Sequence, residues 1–244
     1  MPRANRYFIP GNIWHITHRC HKKDFLFKFR RDRICWMHWL FEAKKRFGVH
    51  VLNYMVTSNH IHLLISDNTA EGNIPPFMQL VQSRTAQEYN NRTNRKGAFW
   101  EDRYHATAIS SDEHIIQCMV YINMNMVRAG VVKHPVNWKE SGYYEIQNPK
   151  KRYTIIDYAT LLKILNIESM DRLQQVQQDW IEDALEINNN IRDGKWTEAL
   201  AVGNEDFLEN IRQQLGIKAK SRRIKKINEG YELSEPDIPY NAHF

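Results

Sequence analysis

An α+β fold, a ferredoxin-like antiparallel sheet with helices on one face, is predicted by three observations. Apolar and β-branched residues form strand-like runs over residues 13–20, 49–56, 58–66 and 98–109. Between the first two runs, and again after Pro75 and Pro76, apolar residues recur at helical spacing. The resulting order of strand, helix, strand, strand, helix, strand is that of a split βαβ sandwich.

A chain of 244 residues is long enough for one well-buried domain and a second, smaller unit. No apolar run approaches the roughly 20 residues of a membrane span, and the first residues lack a signal-peptide core, so a cytoplasmic protein is expected. Cys20, Cys35 and Cys118 are isolated and lack metal-type spacing, which fits a reducing compartment. A formal charge of +6 beside seven Trp, eleven Tyr and ten Phe points to a polyanionic partner.

In the first strand His15, Thr17 and Arg19 share one face, and Trp14, Ile16 and His18 the other. A basic stretch follows, with Arg19, Lys22, Lys23, Lys28, Arg30, Arg31 and Arg33 opposed only by Asp24 and Asp32. Arg19, Lys22 and Lys23 are its candidate phosphate contacts; the alternative is a solvated loop entering a helix. His18 and His21 flank Cys20, but no second cluster completes a metal site. The helix is predicted over 31–47, with Ile34, Met37, Leu40, Phe41, Lys44 and Phe47 as its inner stripe and Gly48 as its stop.

A hairpin turn at 57–59 leads into the strand Ser58-Asn59-His60-Ile61-His62-Leu63-Leu64-Ile65-Ser66. Side chains alternate along a strand, so His60 and His62 point the same way and Ile61 faces the core. Two imidazoles on a rigid strand can offer two nitrogens to one divalent cation. They can equally be solvent-facing histidines on a half-buried strand. The second helix presents Phe77, Met78, Leu80, Val81, Thr85 and Tyr89 inward, and 90–97 is a polar, basic loop. After the last strand, Ser110 and Glu113 have capping-box spacing, and a helix is predicted from there to Arg128, ending at Gly130. Ile115, Met119, Ile122 and Met126 form its apolar stripe, while Gln117, Tyr121, Asn125, Arg128 and His114 lie roughly opposite. A tyrosine there is either an ordinary half-exposed residue or a reactive one.

From Pro149 the pattern changes to helices near 158–165, 173–191 and 196–215, with Gly203 near a break. Residues 149–228 therefore read as a helical accessory domain after a first domain of 1–148. The basic residues Lys218, Lys220, Arg222, Arg223, Lys225 and Lys226 are expected to hold phosphates, and 229–244 to be a poorly ordered tail.

His60-Ile61-His62, Phe99-Trp100-Glu101-Asp102-Arg103-Tyr104 and Tyr121-Ile122-Asn123-Met124-Asn125-Met126-Val127-Arg128-Ala129-Gly130 together resemble the single-tyrosine HUH transposases. Within them the chain is most similar to the bacterial REP-associated tyrosine transposases, over about residues 1–145; Met1-Pro2-Arg3, Pro10-Gly11 and Trp14-His15-Ile16-Thr17 fit their start. It departs from them at Met126, where that family commonly has proline. The resemblance implies a nucleoid-associated bacterial enzyme that cuts single-stranded or hairpin DNA. Tyr121 would be the nucleophile that forms a 5′-phosphotyrosine link, and His60, His62 and Asn125 the ligands of Mg²⁺ or Mn²⁺. Arg19, Lys22, Lys23, Arg103, Arg128, Arg222 and Arg223 would contact DNA. Zinc hydrolysis fits less well, because no third histidine or carboxylate stands at a suitable spacing.

Two other readings are a hairpin-binding protein with vestigial nicking activity and a generic RNA-binding ferredoxin-like module. The second normally displays aromatics where this strand has histidines. Monomer or homodimer, and action of Tyr121 in its own or a partner's site, stay open.

Overall fold

The computed structural model describes residues 9–67, 72–110, 113–187, 192–219 and 221–234. Strand β1 (Ile13–Arg19) leads through a one-turn 3-10 helix into α1 (Arg30–Phe47), which stops at Gly48 in a left-handed conformation, φ 65°. Then come β2 (His50–Val56), β3 (His60–Ser66), α2 (Ile74–Thr93) and β4 (His105–Ile109). These four strands pair antiparallel in the order β2-β3-β1-β4, the ferredoxin-like arrangement that the sequence predicts. The two helices of this unit pack together, tied by the Arg92–Asp32 ion pair, on the Ile61 face, where the Trp100 indole stacks on His18 and donates to the Gln82 carbonyl of α2. Among the described residues, no helix is long and apolar enough to cross a membrane.

Three differences from the predicted elements have physical causes. The most deeply buried residues of α1 are Trp36, Leu40 and Ala43 together with Asp32 and Arg33; Met37, Phe41 and Phe47 of the predicted stripe pack partly buried against the core, whereas Ile34 is 43% exposed. Asp32 and Arg33 meet Arg92 and Glu140, so the helix turns to bury two ion pairs at the expense of an isoleucine. Helix α2 runs on through Asn90 to Thr93 before a left-handed Asn94 ends it. The fourth strand begins only at His105: Trp100 makes one bridge to Cys20, and the chain then bends across the end of β1, where Asp102 accepts a 2.6 Å hydrogen bond from His18 Nε2 through its carbonyl.

The next helix is split into α3 (Glu113–Asn123) and α4 (Asn125–Arg128) at Met124, and Gly130 follows with φ 68°. Ser111 and Asp112, between the proposed capping pair Ser110 and Glu113, lie outside the described residues. Ile115, Met119, Ile122 and Met126 are all buried, so the predicted stripe holds through the split. Asn53 of β2 donates to the side chain of Asn123, which fixes α3 on the face of the sheet that carries the histidines.

Beyond Asn148, α5 (Gly142–Gln147) is followed by α6 (Tyr158–Leu165), α7 (Met170–Ile187), α8 (Lys195–Glu198), β5 (Ala201–Gly203), α9 (Glu205–Leu215), β6 (Arg223–Ile227) and β7 (Gly230–Ser234). The C-terminal region is thus not wholly helical. Strand β5 joins β4 in parallel and the β6-β7 hairpin extends it, so a mixed sheet of seven strands runs β2-β3-β1-β4-β5-β7-β6. The supposed tail supplies β7, whose Leu233 is fully buried; residues 235–244 lie outside the described residues. Of the basic residues expected to hold phosphates, Arg223, Lys225 and Lys226 lie in β6, an edge strand whose lysines discourage pairing with other chains, and Lys220 lies outside the described residues.

Candidate active site

Register places the functional side chains. Opposite residues in an antiparallel pair share a face, and Thr17 pairs with His62, Arg19 with His60 and His15 with Leu64. His15, Thr17, Arg19, His60 and His62 therefore stand on one side of the sheet, as the alternation predicts. Helix α3 brings Tyr121 over the same face, its ring centroid 5.8 Å from that of His62 and 6.1 Å from that of His15. Asn125 follows on α4, with Nδ2 2.9 Å from His62 Nε2.

The histidine tautomers follow from their partners. Asn59 uses Nδ2 to reach the Lys23 carbonyl at 3.1 Å, so its Oδ1 faces His60 and accepts from Nδ1–H at 2.7 Å. Thr57 gives its hydroxyl proton to the His60 carbonyl, which leaves that oxygen an acceptor as well. His60 Nε2 thus keeps its lone pair. Burial lowers the pKa of His60 to about 4 and that of His62 well below the ordinary histidine value, so both rings are neutral at pH 7. The rings sit with centroids 5.0 Å apart.

Around them lies a cleft of about 620 Å³ lined by Arg19, Arg103, Arg128 and Arg192, with Glu101 and Asp102 on one side. Arg128 stacks over the Tyr121 ring at 4.3 Å and donates to the Tyr121 carbonyl at 2.7 Å. Burial raises the Tyr121 pKa, while Arg128 and Arg192 oppose that rise by favouring the phenolate. A phenol that rests neutral beside two guanidinium groups suits a nucleophile that must ionise only during attack.

Among the described residues, no three His, Cys, Asp or Glu side chains gather as metal ligands. The donors that do converge are two imidazole nitrogens and the Asn125 amide. A half-turn of that amide exchanges its N–H donor for a neutral oxygen. Two imidazoles and one amide oxygen would leave positions open for substrate oxygens, unlike the closed four-ligand set of a structural zinc site.

The structure brings Arg19, Arg103 and Arg128 to this cleft along with His60, His62, Tyr121 and Asn125. Lys22 and Lys23 are exposed on the 3-10 turn after β1. Arg222 and Arg223 are elsewhere: β6 is four strands from β1, roughly 19 Å away at usual strand spacing. His114 shares the helix side of Tyr121 but bonds the Glu229 carbonyl at 3.1 Å, at the far end of α3. Sequence reasoning gave no role to His15, Arg192, Trp196 or Thr197. His15 was visible as a polar residue on the right face of β1. The other three come from a region with no motif.

Residues 12–125 match the family model described as "Transposase IS200 like". No curated protein matches the sequence. Among solved structures, the chain is similar to a REP-associated tyrosine transposase bound to a REP hairpin. The identity is 18% and the TM-score 0.53, over 64% of this chain and 90% of that one. A transposase-like protein from Deinococcus radiodurans R1 is a looser likeness, at 16% identity and TM-score 0.35, over 48% of this chain and 93% of that one. The match spans β1 to the start of α4 and contains both histidines, the tyrosine and the asparagine, whereas Arg128, Arg192 and Thr197 of the cleft lie beyond it; the imidazoles, the phenol and the amide thus sit in the part of the chain that resembles IS200-like transposases.

Proposed function

We propose that the protein is a metal-dependent endonuclease and strand transferase acting on single-stranded DNA beside a REP-like hairpin, through a 5′-phosphotyrosine intermediate. The observation that carries this is the meeting of two neutral imidazoles, an amide and a buried phenol in one arginine-lined cleft. The hairpin preference is supported by the solved REP-associated transposase, which is bound to a REP hairpin.

His60, His62 and Asn125 would hold Mg²⁺ or Mn²⁺. Such an ion supplies charge that polarises the non-bridging phosphate oxygens and offsets the charge growing on five-coordinate phosphorus. The chain does the rest. Arg19 and Arg103 hold flanking phosphates and set the scissile bond in the cleft. Tyr121 Oη attacks phosphorus as its proton leaves; the Oη–P bond forms, the P–O3′ bond breaks, and the departing 3′-oxygen takes up one proton. Proton count is unchanged across the step. Arg128 and Arg192 stabilise the phenolate as it develops. Strand transfer is the reverse, with a new 3′-hydroxyl as nucleophile.

Incubation with a hairpin oligonucleotide and Mn²⁺ tests the reading. Wild type and Tyr104→Phe should give a denaturation-resistant protein–DNA adduct, and Tyr121→Phe should give none while still binding the hairpin. Tyr104 is 5% exposed and packs edge-on to His18, away from this role. A nucleotide on a Tyr104 peptide, or adduct in Tyr121→Phe, would overturn the mechanism. Hairpin binding with no adduct in wild type would leave the binding protein with vestigial nicking as the correct reading.

A further inference from the structure

His15 takes no part in the chemistry above, yet it is fully buried and both of its ring nitrogens are engaged. Its Nδ1 lies 2.8 Å from the backbone carbonyl of Trp196, and its Nε2 lies 3.0 Å from His62 Nδ1. A carbonyl oxygen can only accept, so Nδ1 of His15 carries the hydrogen. In the neutral ring Nε2 is then an acceptor, and the hydrogen between the two histidines must belong to His62 Nδ1. His62 is left with an unprotonated Nε2, the atom that faces Asn125. If the ring of His15 were reversed, or absent, His62 could carry its hydrogen on Nε2 and would then offer an N–H to the cleft.

The rings are also held in orientation. The planes of the His15 and His62 rings are within 10° of parallel and their centroids are 5.2 Å apart, as an edge-to-edge N–H···N bond requires. Trp196 belongs to α8, outside residues 12–125, and Thr107 Oγ1 donates at 2.7 Å to Ala199, just beyond the same helix. The carbonyl at the start of this relay is therefore fixed by the C-terminal region.

We propose that His15 is a positioning residue: held by the Trp196 carbonyl, it locks His62 in the Nδ1–H tautomer and so aims the Nε2 lone pair into the cleft. That the lone pair serves a metal rests on the proposed function; the tautomer lock does not.

Nitrogen-15 spectra of the histidine side chains in the metal-free full-length protein decide it. Wild type should show His62 with Nδ1 protonated and Nε2 bare. His15→Phe should populate the Nε2–H tautomer of His62 and weaken Mn²⁺ binding by about 10- to 100-fold, the usual effect of losing an outer-shell partner. His15→Gln keeps one donor and one acceptor and should restore the wild-type tautomer. An Nε2–H tautomer in wild type overturns the proposal, so a variant that fails to fold does not protect it. An unchanged His62 signal in folded His15→Phe also overturns it. If the lock is seen but wild type binds no Mn²⁺, the metal reading fails and the relay stands.

Discussion

Asn125 tests the third ligand position, because its chemistry can be changed without disturbing the short helix that carries it. Asn125→Ala should weaken Mn²⁺ binding about tenfold, whereas Asn125→Asp, which loses the N–H bond to His62 but offers an oxygen, should bind at least as well as wild type; isothermal titration distinguishes them. Equal affinity in Asn125→Ala and wild type would mean the amide is no ligand. His60→Ala or His62→Ala should abolish cleavage and leave hairpin affinity within a few-fold, since the ion acts mainly on the transition state. Undiminished cleavage in either would remove the metal from the mechanism. These residues were legible in the sequence because strand and helix periods are local: two steps of a strand align His60 with His62, and four of a helix align Tyr121 with Asn125. His15 was legible only as a face. Its function depends on a carbonyl 181 residues away, and no local pattern announces such a partner.

At the scale of elements, the start of α5 lies hard against β2. A Cβ on Gly142 would stand 2.0 Å from Asn53 Oδ1 and 3.0 Å from the Tyr54 nitrogen, and Asn53 is the residue that anchors α3. Gly142→Ala should therefore destabilise the protein by about 1–3 kcal/mol, the range for overpacking, measured by urea unfolding; a neutral change would mean that Asn53 yields freely. Helix α6 is held to β2 by Asp157, which caps the Thr160 amide at 3.0 Å and meets His50 at 2.7 Å. Burial pushes its carboxyl pKa up, but the bonds from His50 and Thr160 outweigh this and hold it below the usual value. Unfolded Asp titrates near about 3.9. The stabilisation is therefore complete above roughly pH 4 and is lost as pH falls through the lower folded value. Asp157→Asn should cost about 1 kcal/mol at pH 7, and the gap from wild type should close in acid. A gap constant from pH 7 to pH 3 would rule out the ionised carboxylate as its source. The boundaries of α1, β2 and β3 were readable from Gly48 and the turn at 57–59, and so was most of the stripe of α1, where Leu40 is buried and Met37, Phe41 and Phe47 pack on the core; the inward turn of its first residues, Asp32 and Arg33, was not. That turn is set by Arg92 and Glu140, residues far along the chain.

At the scale of the whole molecule, one sheet joins residues from Ile13 to Ser234. Calorimetry should give a single unfolding transition, and two separated transitions would show that the C-terminal strands are energetically independent. Arg222 and Arg223 sit at the far edge of this sheet, so together they should contribute a slope of no more than about two to the salt dependence of DNA binding. Arg222→Gln with Arg223→Gln should weaken all sequences alike; altered sequence preference would mean that they touch bases. The ferredoxin-like half was legible because four strands and two helices alternate cleanly. The C-terminal strands were not: β5 has three residues, and β6 reads as a basic run because an edge strand tolerates lysine where an inner strand does not. The relay through Trp196 also has a consequence in time. Ribosomes add roughly 5–20 residues per second, so His15 and His62 exist for on the order of ten seconds before Trp196 is made. A nascent chain would carry His60, His62, Tyr121 and Asn125 before the carbonyl that sets His62 exists, so the proposed cleavage would have to wait until α8 has been made.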